Sequence, residues 1–203
     1  RVVSAMQNSW AAATLHWACQ IAGLVLVPVN WRVTSEELDF FLENSEACAL
    51  FGDASSADAL AQSTHAKHLP VILNAPGGSF SGLATATVNM ATPRAAAEDV
   101  SLMLYTSGTT AKPKGVPRRH RTERAAAIAH IAQNFLPRLD RTLGVMPLYH
   151  TMGVRSLLAM SLLNGCFVCL QRFSPSQALR LIEDERIGSL YLVPTLYHDL
   201  LDH

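Results

Sequence analysis

An α/β fold, with largely parallel sheets covered by helices, is what this sequence predicts, and three observations predict it. Helix-type and strand-type patterns alternate along the chain, which is the rhythm of strands joined by helical crossovers. The strand-type runs are continuously apolar, as strands covered on both faces require. Of the 203 residues, 49% are hydrophobic and only 16% charged. That composition supplies core material and excludes a disordered tail, while ten scattered prolines exclude one long coiled coil. At about 150 residues per domain, the length fits one domain, or one and part of another.

Each element follows in order. Trp10, Ala13, Thr14, Trp17 and Ile21 recur at helical spacing, with Asn8 or Ser9 as N-cap and Gly23 as stop. Leu24 to Val29 is a buried strand. Thr34-Ser35-Glu36-Glu37 caps a second helix with Leu38, Phe41 and Leu42 on its apolar face, and Ala47 to Phe51 is another strand. Residues 54–98 predict a surface connection with one strand near Leu69 to Leu73. From Val100 the order resumes: strand 100–106, polar loop 107–119, helix 120–135, strand 142–147 and helix 153–163. A strand at 166–170, a helix at 174–186, a strand at 189–193 and a helix opened by Val193-Pro194-Thr195 complete it.

Charge and cysteine usage narrow the class. Lysine plus arginine (16) balances aspartate plus glutamate (16), so global charge names no partner. Locally, Lys112, Lys114, Arg118, Arg119, Arg121 and Arg124 face only Glu123 within one short window, a place for something anionic to dock. Cys19, Cys48, Cys166 and Cys169 are too few for a secreted disulfide framework and fit a reducing cytoplasm. The uncharged stretch from Val2 to Trp31 is interrupted by Gln7, Asn8, His16, Gln20 and Pro28 and reads as helix then strand, not as a membrane span. Arg1 in place of an initiator, with no cleavage-site pattern, predicts a fragment without a signal peptide.

The segment that bears chemistry is Tyr105-Thr106-Ser107-Gly108-Thr109-Thr110-Ala111-Lys112-Pro113-Lys114-Gly115-Val116. Phosphate oxygens need short donors that approach closely. The hydroxyls of Thr106, Ser107, Thr109 and Thr110, backbone N–H groups around Gly108 and the Lys114 ammonium supply them. It is not a Walker loop, because no Gly-Lys-Ser/Thr follows. By composition alone, a flexible Ser/Thr/Gly-rich turn is the competing reading.

Thr106 to Gly115 resembles the phosphate-loop signature of the adenylate-forming enzymes, the superfamily of acyl- and aryl-CoA synthetases, luciferases and peptide-synthetase adenylation domains. Val27-Pro28-Val29-Asn30 with Thr34 to Leu38 resembles the superfamily's early strand and helix. Met146-Pro147-Leu148-Tyr149-His150-Thr151-Met152-Gly153 resembles its substrate-side motif. The resemblance implies that residues 1–203 are an incomplete large N-terminal AMP-binding domain, truncated at both ends, with the C-terminal domain absent. It implies a carboxylate attacking the α-phosphate of MgATP, with ATP, Mg2+ and CoA as cofactor and co-substrates. Thr106, Ser107, Gly108, Thr109, Thr110 and Lys114 would bind the phosphates. His150 would be catalytic beside the carboxylate, and Thr151, Met152 and Gly153 would line the acyl pocket.

Within the superfamily the Met-Pro-Leu-Tyr-His run, Gly153, Arg172-Phe173 and Ala178-Leu179 look most like 4-chlorobenzoate:CoA and benzoate:CoA ligases, which implies an aromatic acid. Medium- and long-chain fatty acyl-CoA synthetases share much of the pattern. Two positions depart from it. Ala111 stands where the family usually has glycine, and Arg119 precedes His120 where Ser or Thr is common. The family's metal-associated glutamate, ribose-binding aspartate and adenylation lysine are not assigned to any residue here, so the fragment alone is expected to be inactive.

Competing signals are weaker. Cys166-Phe167-Val168-Cys169 matches Cys-x-x-Cys, but in a strand an offset of three puts the thiols on opposite faces, which suits core packing better than zinc or redox work. His65 and His68 read as surface residues with no nearby carboxylate. A nucleic-acid or general anion-binding module on Arg118, Arg119, Arg121 and Arg124 lacks interleaved aromatics. A noncatalytic nucleotide-binding remnant of the same fold is the remaining alternative.

Overall fold

The computed structural model describes residues 1–75, 79, 80, 82, 92–106 and 112–203. The chain divides into two compact units, one formed by residues 1–7 and 14–120, the other by residues 8–13 and 121–203.

The first unit holds a six-stranded sheet. Its strands are β1 (Val2–Ala5), β2 (Leu26–Pro28), β3 (Ala49–Asp53), β4 (Val71–Asn74), β5 (Val100–Thr106) and β6 (Lys114–Arg119), in the order β4-β3-β1-β2-β5-β6. All pairings are parallel except β5 with β6. β1 and β2 are buried at every position, as the continuous apolar pattern requires. The helices of this unit are α1 (Trp10–Ala22) from Thr14 onward, α2 (Ser35–Asn44) and α3 (Ala57–Gln62). Gly23, at φ +71°, ends α1 in the left-handed region that glycine enters without a Cβ penalty. The expected capping box opens α2: Glu37 N–H donates to Thr34 Oγ1 at 3.2 Å, and Thr34 N–H donates to Glu37 Oε2 at 2.9 Å. Leu38, Phe41 and Leu42 point into a core shared with Val3, Val27 and Leu50.

The second unit centres on a three-stranded parallel sheet of β7 (Arg141–Gly144), β8 (Cys166–Cys169) and β9 (Ser189–Leu190), in the order β8-β7-β9. Its helices are α4 (His120–Gln133), α5 (Thr151–Leu162), α6 (Pro175–Asp184) and α7 (Pro194–Leu201). Leu143, Leu170 and Ala178 form its core with Val168, Phe173 and Leu190 around them. Pro175 and Pro194 occupy the first turns of α6 and α7, where a missing N–H costs nothing.

Four expectations need correction. The polar loop expected at 107–119 ends early, because Lys114–Arg119 is the edge strand β6. Cations and Pro117 disguise it, yet an edge strand tolerates proline and uses charge to resist further pairing. The interval 54–98 contains α3 and a 3-10 turn at Ala66–His68 as well as β4. Val2–Ala5, absorbed into the uncharged N-terminal run, is a strand. The stripe expected on α1 is not its buried face: Ala11, Ala12, Leu15, His16 and Cys19 are buried, while Trp10 is 61% and Ile21 48% exposed. With no charged residue on α1, nothing in the sequence marks its solvent side.

Candidate functional site

The expected phosphate-binding residues belong to the first unit. β5 ends at Thr106 and β6 begins at Lys114, and these two residues are the last pair of the antiparallel ladder. The chain between them therefore leaves and re-enters the sheet at neighbouring positions. Ser107, Gly108, Thr109 and Thr110, together with Ala111, lie outside the described residues. Both feet of the segment are anchored. The Tyr105 hydroxyl donates to Asn44 Oδ1 at 2.7 Å, and its ring packs edge-on against Phe41, 4.6 Å between centroids. Burial raises the Tyr105 phenol above its ordinary range, with the Arg1 cation pulling the other way, so the group stays a neutral donor. Lys112 sets its ammonium 5.5 Å over the Phe40 ring, a cation–π contact. Lys114 is exposed and, among the described residues, has no ion-pair partner.

The second group, His150, Thr151, Met152 and Gly153, belongs to the second unit. β7 ends at Gly144, and a short loop leads to His150, the N-cap of α5 with extended backbone (φ −118°, ψ 148°). Its side chain makes no capping bond, and the residue is exposed, which leaves the imidazole available to a ligand. Thr151, Met152 and Gly153 form the first turn of α5. Gly153 is there for space: a Cβ on it would stand 2.1 Å from the Pro147 carbonyl oxygen and 2.6 Å from that of Met146. The loop thus lies directly on the helix start. The His150 N–H donates to the Pro147 carbonyl at 2.9 Å, closing a turn before the helix begins.

Sequence reasoning missed the residue that organises this loop. Asn8, 5% exposed, was expected only as a possible cap for α1. Ser9 takes that role, its Oγ accepting from Ala12 N–H at 3.2 Å. Asn8 instead donates Nδ2 to the carbonyls of Gly144 (2.8 Å) and Met146 (2.9 Å), and its Oδ1 accepts from Leu148 N–H at 2.9 Å. More than 130 residues of sequence separate these partners, so only the folded structure brings them together.

The other signals divide. Cys166 and Cys169 are both free and lie on β8. Burial, reinforced by Cys166, pushes the Cys169 thiol up to about 11, away from the thiolate that metal binding or redox exchange needs. His65 does have a carboxylate neighbour, against expectation: Asp39 Oδ1 lies 3.5 Å from its Nδ1 and accepts its backbone N–H at 3.0 Å. Thr64 N–H and the Ser63 hydroxyl also donate to Asp39, which makes the carboxylate a cap for the turn that follows. In the basic run, Arg119 pairs with Glu98 at 2.8 Å. No cluster of three or more His, Cys, Asp or Glu able to hold a metal ion occurs among the described residues. Nor is any described helix long and apolar enough to cross a membrane.

Comparison with known proteins draws on the whole chain. It is 33% identical to a methyl-dioxo-octahydroindenyl-propanoyl:CoA ligase of Mycobacterium tuberculosis, over 96% of this chain and 42% of that protein. It is 29% identical to a feruloyl-CoA synthase of Amycolatopsis, over 92% of this chain and 37% of that one. Among solved structures, ATP-bound MatB from Rhodopseudomonas palustris superposes with a TM-score of 0.87 at 29% identity, covering all of this chain and 41% of MatB. The chain therefore spans about two fifths of the length of these relatives. The AMP-binding enzyme model matches residues 1–203 without remainder, and with a hairpin closed between Thr106 and Lys114 and a histidine heading α5, the chain belongs to that family.

Proposed function

We propose that this chain contributes to an ATP-dependent acid–thiol ligase that makes an acyl-adenylate and then a CoA thioester. In the first step a carboxylate oxygen attacks the α-phosphorus, the bond from that phosphorus to the bridging oxygen breaks, and pyrophosphate leaves. In the second, the CoA thiol attacks the acyl carbonyl, loses its proton and releases AMP. The observation that carries the reading is the β5–β6 hairpin, which pairs Thr106 with Lys114 at the two ends of a hydroxyl-rich segment. Charge accumulating on departing pyrophosphate is stabilised by such donors and by the Lys114 ammonium.

On this reading Thr106, Ser107, Gly108, Thr109, Thr110 and Lys114 hold the phosphates. His150 orients the carboxylate, and Thr151, Met152 and Gly153 line the acyl pocket. On the same reading Mg2+ enters with the nucleotide, as MgATP.

The acid proposed is aromatic, of the benzoate or chlorobenzoate type. Support comes from the Met146–Gly153 run and from a relative named for feruloyl-CoA; the relative named for an alicyclic propanoyl group keeps ring acids in general within reach. A fatty acyl-CoA synthetase is the second reading, favoured by the same shared motif. The test is carboxylate-dependent pyrophosphate release by the full-length enzyme that contains this sequence, with MgATP, with and without CoA. Aromatic acids are expected to drive release and to yield the thioester. Preference for octanoate moves the substrate class, and ATP binding without release for any acid refutes the ligase reading.

A further inference from the structure

Asn8 has the geometry of a substitute peptide group. Its side-chain amide engages Gly144, Met146 and Leu148, alternate residues of the stretch that leaves β7, by accepting one bond and donating two. β7 stops at Gly144, whose carbonyl also accepts from Leu170 N–H at 3.4 Å; past it the Met146 carbonyl and the Leu148 N–H pair with no strand among the described residues, and buried peptide groups left alone are costly. The Asn8 amide supplies those partners. Its orientation is unique: exchanging Oδ1 and Nδ2 would set the oxygen against two carbonyls and the NH2 against the Leu148 N–H. The adjacent residue, Ser9, is fixed in turn by capping α1. Asn8 is therefore clamped on both sides.

The clamped stretch ends two residues before His150. From Leu148 the chain makes the turn closed by His150 N–H and the Pro147 carbonyl, and the packing of Gly153 under Pro147 and Met146 holds the same stretch from the helix side. We infer that Asn8 is a positioning residue for His150: its amide sets the course of the loop from Gly144 to Leu148 and so the place from which the imidazole meets the carboxylate. This inference rests on the role proposed for His150 above. It assigns to the first turn-forming residues after β1 a share in the chemistry.

The test uses the full-length enzyme and two substitutions, alone and combined. Asn8→Ala is expected to lower kcat for carboxylate-dependent pyrophosphate release by roughly 100-fold, the scale of a misplacement near 1 Å, with the KM for ATP little changed. In a His150→Ala background the same substitution is expected to cost less than about threefold, because the group it positions is gone. Equal losses in both backgrounds overturn the inference, since a general packing defect acts whether or not His150 is present. Should Asn8→Ala not fold, Asn8→Ser, which keeps a short polar group, enters the same cycle. A second readout needs no turnover: amide hydrogen exchange in Asn8→Ala is expected to quicken in peptides covering 145–150 and not in those covering β8. Uniform quickening also overturns the inference. Absence of turnover in the unmutated enzyme counts against the ligase reading alone, and the exchange arm then decides for or against the clamp.

Discussion

His16 makes the stability of the protein depend on pH over a defined window. The ring lies on the buried face of α1, 4% exposed, and its Nε2 has no hydrogen-bond partner among the described residues. Burial first, and the nearby His120 second, lower its pKa from 6.5 to about 4. Between those values the unfolded chain binds a proton that the folded chain refuses, so stability rises with pH. The contribution is complete above about pH 6.5, declines as the pH falls, and is lost by about pH 4. A gap of 6.5 to about 4, at about 1.4 kcal/mol per pH unit, amounts to about 3 kcal/mol. Urea midpoints measured from pH 4 to 8 on the unmutated protein and on His16→Leu separate this effect from the remaining carboxylates and histidines. The unmutated protein is expected to lose stability more steeply than the variant below pH 6.5, by up to about 1.4 kcal/mol per unit. Parallel curves refute the reasoning, because they mean that His16 takes up its proton equally in both states.

Three further outcomes are expected. Thr34→Ala removes the acceptor for Glu37 N–H at the start of α2 and costs about 1 kcal/mol in denaturant unfolding. Gly153→Ala drives a methyl into the Pro147 carbonyl; overpacking of this kind costs about 1–3 kcal/mol, and displacement of the His150 loop is expected to raise the KM for the carboxylate more than that for ATP in steady-state assays. Lys114→Ala, at an exposed position without an ion-pair partner among the described residues, is expected to leave the melting temperature unchanged while slowing pyrophosphate release by roughly 100- to 1000-fold.

Local signals were legible wherever one residue type had one reason to be present. β5 runs from Val100 to Thr106 as its apolar pattern predicts, and the α2 capping box forms from the four residues expected. Pro194 opens its helix and Gly23 closes another, as expected. The misreadings arise where local chemistry and tertiary position disagree. β6 carries Lys114, Arg118 and Arg119 because it is an edge strand, and period-two patterning has little hold on such a strand. α1 has no charged residue to identify its outer face, so spacing alone selects the wrong stripe. Asn8 is legible as a helix cap and illegible as a loop clamp, since its partners lie on β7 and after it.

The positions of the three segments proposed to take part in the chemistry follow from the sheets themselves. A strand in such a sheet hands its chain to a loop at its carboxyl end, and the helix that returns it covers the sheet face, so open backbone gathers at the carboxyl ends. Thr106 closes β5, the stretch to His150 follows β7, and Asn8 comes three residues after β1 ends at Ala5. Each segment thereby has a strand directly behind it. The ladder's end also explains why the clamp is a side-chain amide: only a group that donates and accepts with peptide geometry can continue a strand's hydrogen bonding after its neighbours have diverged. A hydroxyl at residue 8 would satisfy at most part of that set, and an aliphatic residue none, which makes the identity of Asn8 a requirement of the loop that bears His150.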